Sequence, residues 1–276
     1  MKVRIEVIGK ERATELLKSN TNNFRKLDSR MVQKYAREMK AGLWENNGEP
    51  IQIYTDGTLA NGQHRLNAVI LADVNIQFVV IYDIDKNVSI FDTQKKRTVV
   101  QIARQRGYKL STQKAGAVGM LLFGLNDRSH RCGENEILEY YETHPWIDTV
   151  EKTICHGANT PILRKSPCVA AGYCAFVLGK MDLSQLDNFA KICNSGLPID
   201  GIQSNAPLCL RKSMMEGFKD STGKVITWGT QTNGLYFDIC YRAMLDFAKG
   251  ATPYRAYKPK MKKEEIDKIL FIAKEK

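Results

Sequence analysis

Residues 55–70 read Thr-Asp-Gly-Thr-Leu-Ala-Asn-Gly-Gln-His-Arg-Leu-Asn-Ala-Val-Ile. Asp56-Gly57 and Asn61-Gly62 both ask for tight turns, because glycine reaches positive φ without steric cost and Asn or Asp tolerates it better than most residues. The apolar run that follows has helical character, so a helix starts at about Gln63. The first N–H groups of any helix lack intrahelical partners, and its dipole places partial positive charge there. Helix stability alone favours Asp or Glu in that first turn, yet the chain supplies His64 and Arg65. Two such side chains suit a phosphate brought from outside, to which an arginine offers a two-pronged donor. The alternative is local: Arg65 pairs with a carboxylate such as Asp56 or Glu49, and His64 packs.

The elements that must hold this turn alternate in type. Leu27, Met31, Val32, Tyr35, Ala36, Met39 and Leu43 recur at helical spacing, with Asp28 or Ser29 as N-cap and Gly42 near the end. Ile51 to Thr55 forms a short strand, Asp56-Gly57 turns the chain, and Thr58 to Ala60 pairs back. Residues 75–84 suit a buried strand, Val88 to Phe91 another short one, and residues 92–107 a turn into a helix closed by Gly107. Beyond about residue 112 helical patterns dominate. The expected fold class is α+β: a mixed domain over 1–110, then an all-helical domain over 111–276 with a basic tail after Pro259.

The 276 residues are 43% hydrophobic, enough for a packed core. With 41 Lys and Arg against 30 Asp and Glu, the formal charge of +11 favours polyanionic partners, DNA among them. Basic groups cluster at Lys95, Lys96 and Arg97, around Arg104, and in the stretch from Tyr257 to Lys263. No apolar run is long enough for a membrane span, and the N-terminus lacks a signal-peptide pattern, so a cytoplasmic protein without a membrane partner is expected. The seven cysteines are scattered without a CxxC, which reads as buried free thiols. Residues 217–225 match a Walker A loop only loosely, and the spacing of His130, His144 and His156 gives no metal set.

The stretch Leu59 to Ile70 resembles the signature of the ParB/sulfiredoxin superfamily, in which a strand, a glycine turn and a helix with a G-x-[HR]-R core form a nucleotide-phosphate site. Asn23-Phe24-Arg25, the Tyr35–Met39 helix, Gly42-Leu43-Trp44, Asn47 to Ile51 and Phe91 to Thr98 follow in the order of the phage-type members. The resemblance covers about 20–105. It implies a nucleotide-binding α+β domain taking ATP or CTP, with or without magnesium, and with Asn61, Gly62, Gln63, His64 and Arg65 at the phosphates. Gln63 stands where sulfiredoxins carry their cysteine, which argues against thiol chemistry. Kinase members place an acid before the glycine, where this chain has Asn61.

Phosphoryl transfer additionally needs a carboxylate to orient or deprotonate the acceptor. Asp56 and Asp92 are the candidates, with His64 as a further catalytic residue, while Lys95, Lys96, Arg97 and Arg104 would meet nucleic-acid phosphates. Each acid also has a plain structural use, Asp56 in a turn and Asp92 as a helix cap. The expected function is a nucleotide-dependent phage-type enzyme of DNA metabolism or modification, kinase-like or hydrolytic. The alternatives are a nucleotide-gated DNA-binding module and a ParB-like nuclease, the last opposed by the want of a carboxylate cluster for two metal ions.

Overall fold

Ile51 and Ile53 face one way from a short strand and are buried, and a sheet must form to give them partners. A computed structural model of the chain describes residues 1–20, 26–86, 98–125, 133–155, 162–217 and 232–276. It is a mixed α+β protein with a small four-stranded sheet and many helices, dividing into two compact units. The first comprises Met1–Thr98 with Arg128–Glu136, the second Val99–Asp127 with Ile137–Lys276.

In the first unit β1 (Lys2–Ile8), β2 (Ile51–Tyr54), β3 (Leu59–Asn61) and β4 (Ile76–Ile84) form a sheet of order β1-β4-β2-β3. β1 runs antiparallel to β4, β2 parallel to β4, and β2 antiparallel to β3. A parallel β2–β4 pair requires a crossover, and α3 (Gln63–Ala72) supplies it. α1 (Lys10–Lys18) and α2 (Ser29–Lys40) pack against α3. Ile51, Leu66, Val69, Phe78 and Val80 centre the core, and Trp44 meets Tyr35 and Phe78 edge-on at 5.2 and 6.1 Å. The Asp28 side chain caps α2 by accepting the N–H groups of Arg30 and Met31.

The α2 face is less apolar than its spacing suggests. Val32, Ala36 and Met39 are buried as expected, but Leu27 is 45% exposed, and Lys34 and Glu38 are buried with them. Lys34 is tolerated there because its ammonium pairs with the Glu134 carboxylate. Arg37 similarly donates to Glu136 at 3.1 Å, and Asn135 donates to the Leu43 carbonyl at 2.9 Å.

The second unit contains α4 (Val99–Gln105), α5 (Thr112–Phe123), most of α6 (Glu134–Thr143), α7 (Trp146–Ile154), α8 (Ser166–Val177), α9 (Leu183–Ser195), α10 (Ala206–Glu216), α11 (Asn233–Ala248) and α12 (Lys263–Lys274). Every residue of α8 from Pro167 to Ala175 is buried, and α5, α7, α11 and α12 pack against it. Gly172 lets α7 approach: a Cβ there would sit 2.0 Å from Ile154 Cδ1. In this division α4 belongs to the second unit, where it buries Ala103 and packs on α5. Cys155, Cys168, Cys174, Cys193, Cys209 and Cys240 are free thiols, four of them buried; Cys132 lies outside the described residues. The expected short strand at 88–91, His130, His156 and most of the loop at 217–225 also lie outside them.

Candidate functional site

Asn61 ends β3 opposite Gln52, and Gly62 turns the chain at φ 117° and ψ 4° into α3. Only glycine suits this point on two counts. The positive φ strains any L side chain, and a Cβ would lie 2.5 Å from Ile51 Cδ1. No acidic residue occupies the first turn of α3, so its positive end has no carboxylate of its own, and Gly62 and Gln63 at that end are buried. The Leu66 N–H returns to the Gly62 carbonyl at 3.0 Å, which sets the helix running immediately after the turn.

The next three side chains each tie this turn to a different element. Gln63 is buried, and its amide oxygen accepts from Asn20 Nδ2 at 3.3 Å. His64 is half-buried, with Nε2 accepting the backbone N–H of Asp28 at 2.9 Å. A ring nitrogen that accepts an N–H carries no proton, so this contact selects the imidazole with its proton on Nδ1. Arg65 is buried at 7% exposure, and its guanidinium donates through Nη1 to the Glu49 carbonyl and through Nη2 to the Pro50 carbonyl at 2.9 Å. The fork thus points into the preceding turn, onto backbone oxygens rather than onto the Asp56 or Glu49 carboxylate. Tyr35 stands near Arg65, Lys34 and Glu49, and burial raises its phenol above the ordinary value.

Asp56 is placed elsewhere. It occupies the tip of the β2–β3 hairpin, where Oδ1 accepts from the Thr58 N–H at 3.0 Å and its hydroxyl at 2.6 Å, and Lys86 pairs with the carboxylate. Lys86 first, then Thr58, hold the carboxyl far below the usual range. A carboxylate so stabilised is a poor proton acceptor. The three residues of β3 separate this tip from Gly62, roughly 10 Å of strand. The structure therefore gives Asp56 the turn role and does not bring it to the glycine turn. Arg104 is exposed on α4 in the second unit. Asp92, Lys95, Lys96 and Arg97 lie outside the described residues.

Four contacts around the turn carried no sequence signal: Asn20 on Gln63, the Asp28 N–H on His64, and the carbonyls of Glu49 and Pro50 on Arg65. Two are side-chain or amide contacts across 36 or more residues, and two use backbone atoms that every residue possesses. His144 sits between α6 and α7, stacked on Tyr140 with ring centroids 3.8 Å apart, as a helix-end residue. Among the described residues no group of three or more His, Cys, Asp or Glu is gathered to hold a metal ion, and no helix is long and apolar enough to cross a membrane. No protein-family model matches this chain, and neither a curated protein nor a solved structure matches it.

Proposed function

We propose that the first unit is a ParB/sulfiredoxin-like domain that binds the phosphates of ATP or CTP against Asn61-Gly62-Gln63, and that the protein is a phage-type, nucleotide-dependent enzyme acting in DNA metabolism. The carrying observation is the strand, left-handed glycine and helix start in direct succession, with no acid in the first helical turn. In this reading His64 is the side chain at the rim of the phosphates. Arg65 acts beneath them by fixing the 49–50 backbone. Asp92 is the carboxylate assigned to the acceptor for phosphoryl transfer or hydrolysis, with Lys95, Lys96 and Arg97 beside it in sequence serving DNA or nucleotide phosphates.

A second reading, a nucleotide-gated DNA-binding module with little chemistry, is favoured by one observation. Asp56, the other carboxylate in reach by sequence, is held ionised at the far end of β3. Binding and turnover separate the two. ATP or CTP should raise the melting temperature, since a ligand at 100 times its Kd stabilises by about 2.7 kcal/mol, and His64→Ala should weaken that shift. Asp92→Asn should lower turnover about a hundredfold or more while leaving affinity intact. Nucleotide binding without cleavage or transfer in the presence of DNA, magnesium and manganese selects the module. No shift with any nucleotide rejects both readings.

A further inference from the structure

Residues 250–262 contain no helix or strand, yet their backbone is firmly tied to the second unit. Ser204 donates to the Ala251 carbonyl, Cys209 to that of Pro253, and Arg242 to that of Lys258. The buried Tyr257 phenol donates to Asp246 at 2.7 Å. The carboxylate of Asp238, 1% exposed, accepts the N–H groups of Lys260 and Met261. An irregular stretch anchored so often has already lost the backbone freedom that a ligand would otherwise have to remove.

The side chains facing away from these anchors share a chemistry. Tyr254 is 88% exposed, more than any other aromatic residue among the described residues, and the Arg255 guanidinium lies 5.8 Å from its centroid. From Tyr257 onward burial alternates: Tyr257, Pro259 and Met261 turn inward while Lys258, Lys260 and Lys262 are exposed. In extended backbone that alternation sets successive lysines about 7 Å apart, comparable to the six-bond repeat of a sugar-phosphate strand. The row ends at Lys262, because Lys263 faces Asp267 at 3.8 Å and α12 opens with Glu264 and Glu265.

We infer that residues 254–262 form a binding strip for single-stranded nucleic acid, with Tyr254 stacking on an unpaired base and Arg255, Lys258, Lys260 and Lys262 meeting the phosphates. A basic track beside an exposed ring is the combination that single strands require, since a base in a duplex has no free face to offer. The strip belongs to the second unit and is independent of the nucleotide reading; either can fail alone.

The test is fluorescence anisotropy of the full chain with a labelled thymidine oligonucleotide of about 15 residues. Tyr254→Ala should weaken binding about 5- to 150-fold, the stacking range for one base. Tyr254→Phe should restore it. Because the ring is almost wholly outside the fold, the melting temperature of Tyr254→Ala should stay at that of the unaltered chain. Replacing Lys258, Lys260 and Lys262 by alanine together should flatten the log–log salt dependence by about 2 units. The corresponding uridine oligonucleotide identifies the natural strand: tighter binding marks RNA, weaker binding DNA. The inference is overturned if Tyr254→Ala binds as well as the unaltered chain. It is equally overturned if Tyr254→Ala weakens binding to a duplex of the same length, or to phosphatidylserine-containing vesicles, as much as it weakens binding to the single strand.

Discussion

Arg65 shows how a residue can be chemically conspicuous in the sequence and still spend its charge out of sight. A basic residue in the first turn of a helix opposes the helix dipole, which is why it stood out; where its guanidinium goes depends on the Glu49-Pro50 turn, which no local pattern encodes. Both forks of the side chain hold backbone carbonyls in a nearly buried position. Arg65→Ala should lower unfolding stability by about 1.5–3 kcal/mol, the scale of hydrogen bonds from a charged group. Arg65→Lys should recover little, because an ammonium cannot reproduce the planar pair of donors. Urea denaturation measures both, and an unaltered midpoint in the alanine variant removes the clamp role. His64 tells a similar story, since its partner is an amide, the N–H of Asp28, that is supplied by the start of another helix. Asp56 was legible as a turn residue because the Asp-Gly pair and Thr58 are neighbours; Lys86, its ion-pair partner, was not.

At the scale of elements, the sequence announced those whose apolar period coincides with burial. α2, β2, β3, α3, β4 and α4 fall within a few residues of where spacing and turn chemistry put them, and beyond about residue 112 the described elements are helices, as the patterns there predict. β1 is not legible in the sequence for a physical reason: its alternating residues Val3, Ile5 and Val7 are 60–66% exposed, and Ile8 is the one fully buried residue of the strand. α1, α7 and α10 announce themselves no better, although α10 opens with Ala206-Pro207, a proline at the helix start. Nor does a polar residue such as Asp238 in the middle of α11 disclose that it terminates a distant segment. Its carboxylate gathers Arg242 and two amides of 260–261 while itself 1% exposed. Asp238→Ala leaves those donors without an acceptor and should cost about 3 kcal/mol or more. Hydrogen exchange at Lys260 and Met261 should rise in that variant well beyond the rise at amides of α8. Equal protection at those two amides would show that other contacts hold the segment.

Over the whole molecule, the formal charge of +11 says what the surface attracts, whereas the buried phenols and thiols say how the interior answers pH. Burial pushes Tyr140 and Tyr241 up to about 12 from an ordinary 10.0, and Cys155 up to about 12 from 9.0. All three belong to the second unit, and Cys174 and Cys193, in the same unit, move upward for the same reason. The folded chain therefore keeps protons that the unfolded chain has already released. Between the two values the native state binds more protons, so stability falls as pH rises. Their contribution is complete below about pH 9 and erodes as pH climbs from 9 toward 12. The melting temperature followed by circular dichroism should decline through that window, and the part of the tyrosinate absorbance that belongs to the buried phenols, read as the share lost in Tyr140→Phe, should appear together with unfolding rather than ahead of it. Tyr140→Phe removes one releasable proton from the native interior and should make the decline shallower between pH 10 and 12. A melting temperature that stays level over this range would mean that these side chains ionise in place, with solvent reaching them inside the fold.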